Sequence, residues 1–498
     1  MTRLTKERSR FFAPPEAASI LAKLREFLHR SGIDCHVVGG FVRDGLMGRT
    51  NNDIDLAVAG NATSIATDVA TAFGARMVPL DEVNQVARVV LPRAEARWHL
   101  DFATLRGNIE EDLGCRDFTI NAIAISLADI KPGWSQIRVI DPLAGVSDIS
   151  GRTVRAASES AFRNDPARLL RAVRLAAVLD FSIEPGTEAL VRRDASLIDA
   201  VAAERLRDEL CQIFETGRAY QSLRHLASLG LLERLMPELA QARGVAQPPE
   251  HFWDVFEHSL ETVGALELLL RERDGEKADD VLAPVPWTAE LAQHFAEEVA
   301  AGRTRRALLK LAGLLHDIGK PATKTTEQDG RMRFLEHAGQ GAEMAAKLME
   351  RLRFSNRELR VVQLMIEQHM RPGYLAGEDM PSRRAIYRYF RDTAGEGIAI
   401  LFLGLADHLA ARGPTLDLAE WCRHAEITEY ILSKWFQEQA IIVPPKLIDG
   451  HTLMDRLGLS PGPQIGELLE MVREAQAAGE LHTSEEALDF VTKRLGRN

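Results

Sequence analysis

Two carboxylates, Asp53 and Asp55, stand two residues apart in the run Asn52-Asp53-Ile54-Asp55-Leu56-Ala57-Val58. In an extended strand, side chains at i and i+2 leave the same face roughly 6.5 to 7 Å apart, so both can reach one metal cluster. Magnesium suits such a place, because it takes hard oxygen ligands and keeps substrate phosphates and waters in its shell. Upstream lie Gly39 and Gly40, whose missing Cβ lets the backbone approach a triphosphate, and then Arg43, whose guanidinium can neutralise phosphate charge. A D-x-D pair alone is common on sheet edges and in turns. Here strand, Gly-Gly, helix, turn and strand follow in order, and Asp55 sits between Ile54 and Leu56, where a charge needs a partner. The segment outlines a metal-dependent nucleotidyl-transfer site.

Other elements must complete that site. Asp101, in the alternating segment Trp98-His99-Leu100-Asp101-Phe102-Ala103-Thr104, is the expected third carboxylate, with a structural acid on an edge strand as its other reading. In a two-metal displacement one cation activates the attacking 3′-hydroxyl and the other stabilises the leaving pyrophosphate. In Arg163-Asn164-Asp165-Pro166-Ala167-Arg168 and the residues to Arg174, Pro166 suits the first turn of a helix. Asp165 and Arg168 are then neighbours at i,i+3. Leu169, Leu170, Val173 and Ala177 form an apolar stripe, which leaves Arg168, Arg171 and Arg174 as a ridge, either facing an anion or simply solvated. A carboxylate accepts from the exocyclic amine of cytosine or adenine, and a guanidinium donates to the adjoining ring nitrogen or carbonyl. Guanine and uracil present the opposite polarity, so Asp165 with Arg168 is a plausible template-free reader of C and A.

With these residues in view, Gly39-Gly40-Phe41-Val42-Arg43-Asp44-Gly45-Leu46-Met47-Gly48-Arg49 and Asp53-Ile54-Asp55-Leu56 resemble the signature of the bacterial-type (class II) tRNA nucleotidyltransferases and bacterial poly(A) polymerases. These belong to the DNA polymerase beta-like superfamily. Further matches follow in the family's order at Arg116–Ala124, Asp141–Ile149, Phe162–Arg174 and Glu204–Leu210. The resemblance implies that Asp53 and Asp55 hold magnesium and that Gly39, Gly40, Arg43 and Arg116 bind the triphosphate. It also implies that Asp165 and Arg168 read the base, supported by Arg171 and Arg174. The implied activity is addition of CMP and AMP from CTP and ATP to the 3′ end of tRNA, releasing pyrophosphate. Three departures stand out. Asn164 occupies a place that is often acidic, Cys115 one that is often Arg, and almost nothing separates Asp101-Phe102-Ala103-Thr104 from the acidic Glu110-Glu111-Asp112. Members that add the whole C-C-A end are expected to carry a longer, flexible segment there, so the short connection leaves CC-only addition, with a separate A-adding enzyme as partner in that case, open beside complete C-C-A synthesis.

The second half carries His258, the adjacent His316 and Asp317, and Asp407 within apolar helical patterns, with His337 and His369 between them. Imidazole and carboxylate ligands brought together from several helices can close around a divalent transition metal. The order H…HD…D resembles the HD phosphohydrolase family, and His337 and His369 stand where some HD proteins carry additional ligands. That resemblance implies hydrolysis of phosphomonoesters or 2′,3′-cyclic phosphates by a metal-activated water. Two alternatives remain for the whole chain, a poly(A) polymerase and an HD-type phosphohydrolase whose nucleotidyltransferase head is inactive.

At 498 residues the chain exceeds one ordinary core. The expected class is α+β: a polymerase-beta-like head of mixed sheet and helices over 1–155, with a capping helix at Ala17–His29, then an all-helical neck (156–245), HD domain (246–415) and tail (416–498), the last a possible tRNA contact. Gln247-Pro248-Pro249-Glu250 reads as a linker. A net charge of −11 excludes a broad electrostatic coat for nucleic acid, so RNA must meet a local basic face. Cys35, Cys115, Cys211 and Cys422 form no C-x-x-C pair, which suits a reducing cytoplasm. The basic segment Met1–Arg10 precedes no sufficient apolar core, and no run approaches a membrane span of about 20 residues. The protein is expected to be cytoplasmic.

Overall fold

The computed structural model describes residues 9–82, 85–92, 98–130, 136–273, 280–375, 380–437 and 445–496, so most of the basic N-terminal segment lies outside the described residues. The chain forms two compact units, Met1–Val201 with Leu229–Leu231, and Ala202–Ser228 with Leu232–Asn498.

The first unit is built on a six-stranded mixed sheet of β1 (Cys35–Val38), β2 (Asp53–Val58), β3 (Arg76–Asp81), β4 (Val86–Val90), β5 (His99–Thr104) and β6 (Ala124–Ser126), in the order β3-β4-β5-β2-β1-β6. Only the β2/β5 pair is parallel; β1 runs antiparallel to β2 and β6, and β4 antiparallel to β3 and β5. The period of two sorts the side chains. Ile54, Leu56 and Val58, with Leu100, Phe102, Ala87 and Val89, enter one core shared with helices α1 (Pro15–Arg30) and α3 (Ala62–Ala72). Asp53, Asp55 and Ala57 therefore take the opposite face, where Ala57 packs with Ile109 and Leu113 of α4 (Ile109–Gly114).

Helix α2 (Gly39–Leu46) follows β1 without a linker. The capping helix begins two residues earlier than expected because Pro15 occupies its first turn. Between β5 and α4 lie only Leu105, Arg106, Gly107 and Asn108, and Asn108 with Glu111 forms a capping box. Helix α5 (Arg168–Leu179) starts after Pro166 rather than at it: Asp165, Pro166 and Ala167 form a turn in which the Asp165 carboxylate accepts from Ala167 N at 3.2 Å.

The second unit is mainly helical. Its helices α6 (Val255–Leu269), α7 (Arg305–Leu315), α8 (His337–Arg351), α9 (Asn356–Gln368) and α10 (Gly397–Arg412) surround a core in which the first ten residues of α10 are buried. Local chemistry sets the helix starts, with Asp254, Thr304 and Ser355 accepting from backbone N–H groups in the first turns of α6, α7 and α9. Two short hairpins interrupt this helical region, Glu298–Ala300 with Arg303–Thr304 and Lys324–Thr326 with Met332–Phe334. The second turns at Asp329-Gly330, with Gly330 at φ +84°, a conformation that favours glycine. Helices α11 (Gly450–Leu457), α12 (Pro463–Ala477) and α13 (Ser484–Arg494) enclose a separate small core around Leu453, Leu468, Val472 and Val491. Among the described residues, no single helix is long and apolar enough to cross a membrane.

Candidate functional site

Strand register brings the three expected carboxylates of the head together. Asp55 pairs with Asp101 across the parallel β2/β5 ladder and Asp53 pairs with His99, while Val38, the residue before Gly39, pairs with Asp55 from the other side. The chain therefore reverses directly over Asp55. Gly39 does so at φ +72°, and a Cβ there would lie 2.5 Å from Asp55 Oδ2 and 3.3 Å from Arg116 Nη1. Only glycine fits both the conformation and the space. The next N–H, that of Gly40, donates to Asp55 Oδ2 at 3.3 Å.

The acids differ in their partners. Asp53 is exposed and its Oδ1 lies 2.7 Å from His99 Nδ1. Asp101 accepts two hydrogen bonds of 2.7 Å from Arg88, its cross-strand neighbour on β4. Burial, with the charges of Asp101 and Asp53, raises the Asp55 carboxyl to about 6 against the pull of Arg116 and the Gly40 N–H. A cation beside these carboxylates would relieve that cost, which is the fit expected of a divalent metal site.

The expected phosphate-binding arginines flank the turn. Arg116 donates to Asp112 at 3.2 and 3.3 Å and presents Nη1 toward Gly39. Arg43 is buried; it donates to Asp44 at 2.9 Å through both Nε and Nη2, and to Asn121 Oδ1 at 2.7 Å. It thus braces α2 against the 115–121 segment.

Helix α5 turns its arginines onto that same segment. Arg168 donates to the carbonyls of Cys115, Arg116 and Ala161, and Arg171 Nη1 lies 3.4 Å from Asp117 Oδ2. Asp165 Oδ2 is 3.9 Å from Arg168 Nε, and that buried Nε–H has no hydrogen-bond partner among the described residues. An incoming acceptor would satisfy the Arg168 Nε–H. Arg174 is half-buried on the same helix. Asp44, Asp117 and Asn121 stand inside the matched motifs but received no role from the sequence, and Arg88 lies outside them; Asn121 also carried a local signal as an amide among the apolar Ile120, Ala122 and Ile123, all buried.

The second unit assembles a separate polar cluster. His258 of α6, His316 and Asp317 at the end of α7, His337 at the start of α8, His369 just after α9 and Asp407 of α10 converge. The Nε2 atoms of His258 and His316 are 3.2 Å apart, and those of His337 and His369 are 3.4 Å apart. Asp317 lies between the two pairs. Its Oδ2 is 3.2 to 3.3 Å from His316 and His258, and its Oδ1 is 3.4 Å from His337 and 3.8 Å from His369. Asp407 Oδ1 is 3.0 Å from His258 and 3.6 Å from His316.

Backbone carbonyls set the imidazole tautomers. Nδ1 of His316, His337 and His369 lies 2.8, 2.7 and 2.6 Å from the carbonyls of Gly313, Phe334 and Ile366, which leaves each Nε2 aimed inward. Burial and the neighbouring His316 lower His369 to about 4, and burial lowers His337 as well, so both rings are held neutral. Asp317 and Asp407 stay ionised well below the usual carboxylate range, burial opposing and the facing histidines prevailing. Against burial, Asp317 and Asp407 raise His316 to about 10, so the cluster draws positive charge into its centre, the fit expected of a divalent metal among imidazoles and carboxylates. Two overlapping ligand groups share His316, namely His258–His316–Asp407 and His316–Asp317–His369. Lys320, one turn on, reaches Asp317 Oδ2 at 2.6 Å and Gln247 Oε1 at 2.7 Å.

A mixed sheet with a Gly-Gly turn over paired carboxylates, combined with a helical H…HD…D cluster, defines a nucleotidyltransferase head joined to an HD module. Comparison with known proteins agrees. A family model described as "Poly A polymerase head domain" matches residues 35–155, one described as "Probable RNA and SrmB- binding site of polymerase A" matches 180–243, and "HD domain" matches 287–412. The "A-adding tRNA nucleotidyltransferase" of Deinococcus radiodurans is 34% identical over 92% of this chain and 94% of its own length. The "CC-adding tRNA nucleotidyltransferase" of Geobacter sulfurreducens is 31% identical over 96% of each. A solved CCA-adding enzyme in complex with CTP shares the fold at a TM-score of 0.65 and 22% identity, over 97% of this chain and 96% of that one. The chain belongs to the tRNA nucleotidyltransferase family and is an enzyme of that class. His258 stands outside the matched HD interval, which contains the other five cluster residues.

Two outcomes follow from the geometry at Asp55. Gly39→Ala must displace Asp55 or the turn, and a shift of this size is expected to lower nucleotide incorporation roughly a hundredfold or more, with the metal content of the His258–Asp407 cluster equal to that of the unsubstituted protein as the control for folding. The Asp55 carboxyl, raised from 3.8 to about 6, adds stability that is full below 3.8 and lost as pH rises through about 6. In chelator-treated protein, Asp55→Asn should therefore melt higher than the unsubstituted chain above pH about 6, the difference shrinking as pH falls toward 3.8.

Proposed function

We propose that this chain adds nucleotides without a template to the 3′ end of tRNA, from CTP and ATP as a class, and that its own product ends in C-C. The four-residue connection from Leu105 to Asn108 carries the specificity part of the reading. It leaves no room for the longer flexible segment expected of enzymes that complete C-C-A, and a separate A-adding enzyme would then finish the end. A second reading, addition of the terminal A alone, is favoured by the A-adding relative from Deinococcus radiodurans.

In this reading Asp53 and Asp55 hold magnesium, which when bound supplies charge to the triphosphate and the attacking 3′-hydroxyl, with Asp101 as the third carboxylate beside them. The Gly39–Gly40 backbone and Arg116 hold the phosphates against β2, with Arg43 bracing the turn. Asp165 and Arg168 accept from and donate to the base edge, with Arg171 and Arg174 beside them. Rate enhancement comes chiefly from positioning and charge stabilisation. The proposed organisation is a head (1–155), a base-selecting neck (156–245), an HD domain (246–415) and a tail (416–498) contacting tRNA. Its supports are the matched intervals 35–155, 180–243 and 287–412 and the separate core of the last three helices. Four free cysteines suit action in the cytoplasm.

The HD cluster is proposed to hold a divalent transition metal through His258, His316, Asp317 and Asp407, with His337 and His369 as further ligands. When bound, the metal would supply an activated water for hydrolysis of phosphomonoesters or 2′,3′-cyclic phosphates, a chemistry suited to cleaning damaged RNA ends before addition.

Purified protein with magnesium should be given tRNA transcripts ending before the first terminal cytidine, after it and after the second, with CTP and ATP alone and together. Addition stopping after two cytidines with ATP present is the expected result, and Asp55→Ala should abolish it. Completion to C-C-A, extension only of the C-C end by one A, or long ATP-dependent tails would each replace the CC reading. Asp317→Ala should lose the transition metal by elemental analysis while retaining cytidine addition; full metal content in that variant would refute the HD assignment.

A further inference from the structure

Asn121 ends the short helical turn Thr119–Asn121 and spends its amide in two directions. Its Oδ1 accepts from Arg43 Nη1 at 2.7 Å, and its Nδ2 donates to Asp117 Oδ1 at 3.1 Å. Asp117 Oδ2 in turn lies 3.4 Å from Arg171 Nη1. The reversed amide would set an NH2 against a guanidinium and an oxygen against a carboxylate, so the partners themselves dictate its orientation. Arg43 at the far end lies along the Gly-Gly turn, its Nη2 3.7 Å from where a Gly40 Cβ would stand. An unbroken chain, Arg171–Asp117–Asn121–Arg43, thus runs from the helix expected to read the base to the turn expected to hold the phosphates.

The middle of this chain is the sensitive part. Asp117 is buried, and although burial works against its charge, Arg171, Asn121, the Phe118 N–H and Arg168 hold its carboxyl below the usual range. A base that draws Arg171 aside removes the largest of those supports. Asp117 must then lean on Asn121, the Phe118 N–H and the more distant charge of Arg168, and the Asn121 amide cannot turn further toward Asp117 without loosening its acceptor bond to Arg43.

We propose that Asn121 is a positioning residue that couples base selection on α5 to alignment of the triphosphate beside Gly39 and Gly40, so that a mismatched base also misplaces the reacting phosphate. The inference rests on the reading of the head as a nucleotidyl-transfer site. Asn121 spends its amide on Arg43 and Asp117 and acts through them.

Asn121→Asp isolates the link, because it keeps an acceptor for Arg43 and replaces the donor to Asp117 with a second carboxylate oxygen. Asn121→Ala breaks both links without adding charge and serves if the first variant does not fold. Single-nucleotide incorporation with CTP, ATP, UTP and GTP should be measured on tRNA lacking its end, giving kcat and KM for each. The expected result is a roughly tenfold fall in the ratio of kcat/KM for CTP over UTP, with Arg171→Lys costing little further discrimination in the Asn121→Asp background, since contacts within one network are not additive. A residue that merely supports the fold would lower kcat for all four nucleotides alike and leave the ratio unchanged. An unchanged ratio, or fully additive losses in the double variant, would overturn the coupling. Absence of incorporation by the unsubstituted chain would instead overturn the reading of the head, and this inference with it.

Discussion

Asp55 lies under a reversal of its own chain, and most of the head is arranged around the cost of keeping it there. Gly39 passes over the carboxylate at a backbone conformation and a distance that admit no Cβ, while the Gly40 N–H and the Arg116 side chain approach from the same side. The β2 strand is locked from both edges, by β1 through Val38 and by β5 through Asp101, so the carboxylate cannot retreat by a slip of register. A one-residue slip would also send Ile54 and Leu56 out of the core and the acids into it. Site geometry and core packing are therefore one constraint on this sheet.

That constraint explains how much of the head was legible in the sequence. Alternation in β2 and β5 assigns Asp53, Asp55 and Asp101 to one face because every second residue must enter the core, and glycine before a helix marks a place where backbone comes close to something. The partners of the acids obey no such local rule. Arg88 meets Asp101 because β4 pairs with β5, and Arg171 meets Asp117 because a helix more than fifty residues later packs back onto the 115–121 segment. The role of Arg43 is the instructive case. The motif suggests phosphate binding, whereas Asp44 and Asn121 already occupy three of its five N–H donors. Helix limits shifted by small amounts, Pro15 extending the first helix and Asp165 delaying the start of α5 by drawing the chain into a turn.

The HD cluster was legible as an ordered set of ligand types, since His and Asp on otherwise apolar helices need a reason to be there. Its two-sided form was not. The division of Asp317 between the His258–His316 pair and the His337–His369 pair depends on where five helices converge, and the inward aim of the rings depends on carbonyls three residues back, two in the last turns of α7 and α9 and one at the end of the Met332–Phe334 strand. The Lys324–Phe334 hairpin carried a local signal in Asp329-Gly330, obscured by the helical patterns around it.

His258 belongs to a helix that precedes the interval matching the HD family model. The recognisable signature and the full set of converging side chains are thus different stretches of chain. Recombination or truncation that transplanted only residues 287–412 would carry five of the six converging side chains and leave the sixth behind. What moves as a unit in evolution, or in a synthetic fusion, has to begin no later than the Asp254 cap of α6, so inheritance of the whole His–Asp cluster is tied to a helix that the family signature does not include.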